Sequence, residues 1–240
     1  MPFGKIVARF LARPSVRLLA PVFALLFCFC GILSHVIAEG RRATMERAGE
    51  AATSLVAALS SDISRNIETL DLSLQAVVDN LKYPGIDKID PNLRQLVLFD
   101  RSATARHLGT ILVLDEAGDL RIDSRTTTPE VLNFADRDYF QAHKVNDAVG
   151  AYIGRPEHAR VSGKWFVGVS RRLSHADGSF AGVVVASLRL SFFEELFENA
   201  ALGPNGNITL ARTDGTVIMR WPYKADYIGL NLNKSTYMSI

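Results

Sequence analysis

Lys164 to Leu188 reads KWFVGVSRRLSHADGSFAGVVVASL. Two apolar runs rich in β-branched residues, Lys164–Leu173 and Phe180–Leu188, flank Ala176-Asp177-Gly178. An Asp-Gly pair between such runs is a strong hairpin signal, because the tight turn demands positive φ. The segment therefore predicts two antiparallel strands, and the chain around it repeats the pattern. Upstream, Thr110–Leu114 is a strand-like run, Glu116-Ala117-Gly118-Asp119 a turn, and Leu120–Asp123 a return strand. Downstream, Asn207–Arg212 passes through Asp214-Gly215 to Thr216–Arg220. This last hairpin echoes the first, as a second copy of one module would. Tyr152-Ile153-Gly154 begins a further extended piece.

Between the hairpins the period changes to that of helices. Pro91–Arg101 carries Leu93, Leu96, Val97 and Phe99 on one side, and Phe134–His143 reads as a short helix opened by Ala135-Asp136. Ser191–Ala201 is amphipathic, with Phe192, Phe193, Leu196 and Phe197 together. The longest helical pattern is 39–83, ended by Tyr83-Pro84-Gly85. Its apolar residues fall at Leu55, Leu59, Ile63, Ile67, Leu70, Leu74, Val77 and Leu81, in steps of three and four. At 1.5 Å per residue this predicts a rod roughly 60 Å long. One reading packs it on its own domain. A second adds a homodimer seam where Ala48, Ala51, Ala52 and Ala58 permit close approach.

Ahead of the rod stands Leu18–Ala38, LLAPVFALLFCFCGILSHVIA, without Asp, Glu, Lys or Arg. About 20 apolar residues suffice for a helix to cross a bilayer. The leader 1–17 carries Lys5, Arg9, Arg13 and Arg17 and no acidic residue, which holds that end in the cytoplasm. Val36-Ile37-Ala38 would suit signal-peptide cleavage. The length of the run and of the leader favours an uncleaved anchor. The expected place is the inner (cytoplasmic) membrane, crossed by a single N-terminal span, with everything after Ala38 on the outer, periplasmic side.

Composition narrows the classes further. The chain has 27 basic and 25 acidic residues; without the four basic leader residues, 23 basic remain. No basic stripe with interleaved aromatics suggests a nucleic-acid partner. Cys28 and Cys30 both lie in the apolar run, so the exterior has neither a disulfide nor a thiolate. His107, His143, His158 and His175 form no HxH or HxxxH pair, and no metal or cofactor is expected. There is no G-x-S-x-G elbow, and no catalytic residue is assigned.

The order of features resembles a known family. A membrane helix, a rod helix and paired α/β modules are similar to the double Cache (PDC-like) sensor region of bacterial signal transducers. The match is carried by Asp136-Arg137-Asp138-Tyr139-Phe140, Tyr152-Ile153-Gly154-Arg155-Pro156 and Ser162-Gly163-Lys164-Trp165, then Ser170–Leu173 and Asp177–Val184. It covers about Arg41 to Pro222 and looks most like sensor regions fused to GGDEF diguanylate cyclases. Histidine kinases and chemoreceptors carry the same module. The resemblance implies an α+β fold, with a PAS-like antiparallel sheet module at 84–202 and the start of a second, membrane-proximal module at 203–240. The second copy stops at Ile240, so the chain is expected to be the front of a longer protein or a truncated product.

The resemblance further implies a small-molecule ligand, an anion or polar metabolite, bound in the distal module. Arg137, Tyr139 and Phe140 would line the site, Tyr152 and Trp165 would wall it, and Arg155 or Arg160 would add a second cation. Related amino-acid sites have an acidic residue on the later strand to hold an ammonium. Ser187 stands there instead, which disfavours a simple α-amino acid. The alternative makes Tyr139, Phe140 and Trp165 core and pairs Arg137 with Asp136 or Asp138. If Arg137 touches the ligand directly, its removal should weaken binding by about 1.5–3 kcal/mol and spare the ligand-free fold. The expected role is the input half of a diguanylate cyclase, the chain itself not being an enzyme. The alternatives are the input of a histidine kinase or chemoreceptor, or a tethered periplasmic enzyme or adhesion domain.

Overall fold

The structure is a computed structural model describing residues 14–99, 108–160, 162–200, 202–203 and 206–234. For 14–20, 22, 24, 108 and 234 it describes the backbone alone. Most of the basic leader, His107 and the end of the helix expected to reach Arg101 lie outside the described residues. The chain forms two units, Met1–Ala58 and Leu59–Ile240.

Helix α1, Pro14–Leu81, carries the first unit and continues into the second. In the first unit its large apolar side chains are exposed, among them Phe23, Leu25, Phe27, Phe29 and Ile37. Thr44 and Thr53 turn their hydroxyls back onto the carbonyls four residues earlier. In the second unit the face predicted from the 3–4 spacing turns inward: Leu59, Leu70, Leu74 and Val77 are buried and Ile63, Ile67 and Leu81 half-buried, and Val78, outside that series, is buried beside them. Gly85 at φ 89° follows the helix end, a conformation that glycine adopts without steric cost. Helix α2, Pro91–Leu98, begins on Asp90, whose carboxylate accepts the N–H groups of Asn92 and Leu93.

The sheet contains β1 (Leu108–Leu114), β2 (Leu120–Asp123), β3 (Tyr152–His158), β4 (Trp165–Ser174) and β5 (Phe180–Arg189). Their order is β2-β1-β5-β4-β3, and every pairing is antiparallel. The central strands are buried on both faces, from Phe166 to Ser170 and from Gly182 to Ala186. That explains why β4 and β5 read as near-continuous apolar runs rather than alternating ones. Arg171 on β4 makes two bonds to Asp71 of α1, at 2.6 and 2.8 Å, tying rod to sheet.

Helix α3, Asp138–Val145, covers the other face. It starts later than Ala135-Asp136 suggests, because 134–137 are committed to a turn. Phe134 N–H donates to the Gly118 carbonyl and Ala135 N–H to the Asn133 side chain. Tyr139 and Phe140 join Leu114, Phe134, Phe166, Val183 and Val185 in one core cluster. His143 is fully buried, with Nε2 3.0 Å from Ser170 Oγ. Burial, reinforced by Arg172 and Arg171, lowers its pKa despite that hydrogen bond, so it stays neutral.

Helix α4 (Leu190–Glu198) buries Phe192, Phe193 and Phe197 and packs on the last hairpin. That hairpin, β6 (Ile208–Ala211) with β7 (Val217–Trp221), is a separate two-stranded sheet. Two strands alone are at best marginally stable. Here Val217, Ile218 and Met219 are buried, so the hairpin is held by what packs on it.

Candidate functional site

Alternation along the strands sets the floor of a cavity. Val185, Ser187 and Arg189 share one face of β5, and Leu112 on β1 lies opposite Val185. Gly168 on β4 is opposite Ser187. A Cβ there would stand 3.0 Å from Tyr139 Cδ1, so the glycine lets the phenol ring lie close on the sheet. α3 and the turn before it form the lid. Between lid and sheet is a cavity of about 250 Å³. Its apolar wall includes Leu112, Leu120, Leu132, Phe134, Tyr139 and Val185.

Five cationic side chains line the same cavity: Arg125, Arg137, Arg160, Lys164 and Arg189. Arg137, 15% exposed, is paired with the Glu157 carboxylate and donates to the His158 carbonyl at 3.2 Å. Its Nε–H is buried without a partner. Burial raises the Glu157 pKa although Arg137 opposes the shift. Arg160 grips both oxygens of Asp136 at 2.6 and 2.7 Å, and its guanidinium lies 5.5 Å from the Phe134 ring centre. Among the described residues Asp123 is the one carboxylate of the lining. Its Oδ1 accepts the Thr110 hydroxyl at 2.8 Å and the Arg125 N–H at 2.9 Å. Trp165 stacks on His158, centroids 3.8 Å apart, and His158 Nδ1 donates to the Gly163 carbonyl.

Four of the seven residues expected from sequence, Arg137, Tyr139, Trp165 and Ser187, come together around this cavity. Ser187 donates its hydroxyl to the Thr110 carbonyl at 3.1 Å. Phe140, Tyr152 and Arg155 do not line it. Phe140 is fully buried, edge-on to Phe180 at 5.4 Å, because α3 turns consecutive side chains to different directions. Tyr152 packs under the Arg212 guanidinium and donates to Asp138 at 3.3 Å. The Arg155 side chain reaches Asp214 at 3.2 Å, while its N–H donates to Asp138 at 2.8 Å. Arg137 meets neither Asp136 nor Asp138, the partners weighed from sequence: those carboxylates hold Arg160, and Tyr152 with Arg155. Arg137 is therefore at once a cavity residue and half of a largely buried ion pair. Its removal should reach the fold as well as the ligand.

Sequence reasoning missed Arg125, Lys164, Arg189 and Asp123. A period-two signal was present for Arg189, which follows Val185 and Ser187 at alternate positions. Arg125 and Asp123 needed the pairing of β1 with β2.

A cavity with an apolar wall, charged side chains and a covering helix is the arrangement of a domain that binds a small ligand. The chain belongs to the Cache domain family: the sequence model of that family, dCache_1, matches residues 40–238. Cache domains are extracellular sensor domains of membrane receptors. Among solved structures, the extracellular domain of a protein described as the histidine kinase rpHK1S-Z16 is 28% identical. Its TM-score is 0.59, over 75% of this chain and 72% of that one. An extracellular ligand-binding receptor from Desulfohalobium retbaense is 16% identical with a TM-score of 0.58, and 75% of this chain spans 32% of it. The ligand-binding domain of Pseudomonas fluorescens chemoreceptor CtaA, in complex with L-isoleucine, is 13% identical, with a TM-score of 0.54 over 73% and 68% of the two chains. The last two likenesses are of fold. No curated protein sequence matches the chain.

Proposed function

We propose that the chain is the membrane-anchored, ligand-sensing input region of a bacterial signal transducer, and that a small organic anion is sensed in the Arg137 cavity. The observation that carries this is the excess of cations around an apolar cavity in a Cache fold. The cavity is capped by a helix whose first residue holds β3, and β3 in turn holds the last hairpin. Asp138 holds β3 through Tyr152 and the Arg155 N–H, and Arg155 and Arg212 both hold Asp214 of the last hairpin. A ligand that favours one position of α3 would thereby favour one position of that hairpin, as transmission between two states requires. The hairpin reads as the start of a second module at 203–240. The output is a diguanylate cyclase in this reading. The 28% identity to rpHK1S-Z16 favours a histidine kinase as the second reading.

A panel of carboxylic acids should contain members that raise the melting temperature of the full chain in detergent. Ala159→Trp, which places an indole at the cavity wall, should abolish those shifts. Shifts that survive Ala159→Trp, or a panel without any shift, would remove the anion reading.

Among the described residues no helix is long and apolar enough to cross a membrane. The expected span, Leu18–Ala38, includes side chains outside the described set. Its support is the uninterrupted apolar sequence and the exposure of its described apolar residues, Phe27 at 84% and Leu25 at 72%. Such surface is stable against lipid, or against another copy of the helix, not against water. In this reading the leader is cytoplasmic, the Cache region periplasmic, and the membrane-proximal part of α1 forms a homodimer seam. An alkaline phosphatase fusion after Arg42 should be active in a bacterial host and remain with the membrane fraction. Soluble periplasmic product beginning at Glu39 would contradict the anchor.

A further inference from the structure

We propose that the end of α3 is an acid-released latch: a proton taken up by His143 frees residues 142–151 from the sheet, so that low pH is an input of its own to this domain. From Gln141 to Ala151 His143 alone is buried, and it is wholly so. The rest of that stretch is exposed or half-buried and has little else to hold it down. Two contacts with β4 fix the residue. Its Nε2 lies 3.0 Å from Ser170 Oγ, and its carbonyl accepts an Arg172 N–H at 2.6 Å. The ring stands edge-on to Tyr152, with centres 6.2 Å apart. Nδ1 is buried and has no hydrogen-bond partner.

A neutral ring fits this place and an imidazolium does not. The charged form donates from both nitrogens and finds one acceptor, Ser170 Oγ. The surrounding charges do not help. Arg171 and Arg172 on β4 both oppose a positive ring. Lys144, next on the helix, turns to the Phe140 ring. Asp71 on α1 is spent on Arg171, and Asp138, at the other end of α3, on Tyr152 and the Arg155 N–H. On β3, Arg155 holds Asp214 and Glu157 holds Arg137. β5 brings no titratable side chain before Arg189, which lines the Arg137 cavity. Burial, with the two arginines, therefore keeps the pKa of the docked ring below the ordinary 6.5. The hold is complete above 6.5 and is lost as pH falls from there through the folded value. Within that window, release coupled to one proton becomes about tenfold easier per pH unit. Glu157 has the opposite sign, since its raised pKa makes acid favour the folded form. Asp115 and Asp214, held below the usual carboxylate range, titrate beneath the window.

The test is hydrogen exchange of the full chain in detergent between about pH 7.5 and about pH 5, expressed as protection corrected for the intrinsic rate. No ligand is needed, because the helix itself is read. Protection of amides 142–146 should fall about tenfold or more over that range, and that of 70–78 in α1 and 183–186 in β5 by less than about threefold. His143→Gln keeps a donor for Ser170 Oγ and cannot charge, so amides 142–146 should then stay level within about threefold. His143→Phe is the second neutral variant, should the first not fold. His158→Gln and His175→Gln should retain the full response. Protection at 142–146 that does not fall overturns the proposal. So does a fall shared with α1 and β5, which is plain acid unfolding. A local fall that persists in a neutral variant, or that vanishes in His158→Gln or His175→Gln, overturns the assignment to His143. If neither neutral variant folds, the wild type and the two control variants decide by the same criteria.

Discussion

Arg137→Ala should destabilise the ligand-free protein by about 2–4 kcal/mol, because it leaves the Glu157 carboxylate largely buried without its cation. For a unit of this size that is a fall in melting temperature of roughly 5–15 °C. The pair's side chains are 15% and 18% exposed, so the effect sits below that of a wholly buried pair. Glu157→Gln in the same chain removes the orphaned charge and should restore at least about half of the loss. The pH dependence follows from the raised Glu157 pKa. A carboxyl whose pKa is higher folded than unfolded binds its proton more tightly when folded. Its contribution is full below the unfolded value, near the ordinary 4.5, and is lost as pH rises through the folded value. Without Arg137 the folded value rises further. The deficit of Arg137→Ala should therefore be largest at neutral pH and shrink toward pH 4.5. A deficit that does not change with pH, or one that Glu157→Gln fails to relieve, would show that the pair is not what holds α3 to β3.

Gly182→Ala should be more damaging, costing roughly 3–5 kcal/mol or preventing folding. Gly182 has φ +127°, and a Cβ there would lie 2.0 Å from the Leu114 carbonyl oxygen and 2.9 Å from the Asp115 carbonyl carbon. These are backbone atoms at the end of the β1–β5 pairing, where Leu114 faces Val183. They cannot yield without moving the strand that carries Leu112 and Thr110 into the cavity wall. Gly178 is the control. It also has positive φ, +84°, but open space around the missing Cβ, so Gly178→Ala should cost only about 1 kcal/mol. Chemical denaturation of the three proteins separates the two causes. Equal effects at the two glycines would mean that φ alone matters and that β1 and β5 can part without loss.

Much of the architecture was legible in the order of residues. The Asp177-Gly178 turn lies between two apolar runs, and the spacing from Leu59 to Val77 marks one helix face; the fold uses both as read. These are local features, fixed by the two-residue period of strands, the 3.6-residue period of helices and the few residues that tolerate positive φ. That Arg137, Tyr139, Trp165 and Ser187 line one cavity was also within reach, through the resemblance to Cache domains. What only the tertiary structure decided is who meets whom. Glu157 becomes the partner of Arg137 because β3 runs antiparallel to β4 under the start of α3, 20 residues away. Asp136 and Asp138, adjacent in sequence, are turned to other cations and donors. Phe140 and Tyr152 are as aromatic as Tyr139 and Trp165, and both lie nearer Arg137 in sequence than Trp165 does, but one helix step and one strand register carry them out of the cavity. Backbone periodicity is set within a few residues of chain. Ion pairing and cavity charge are set by strand order and register, which join residues far apart in sequence.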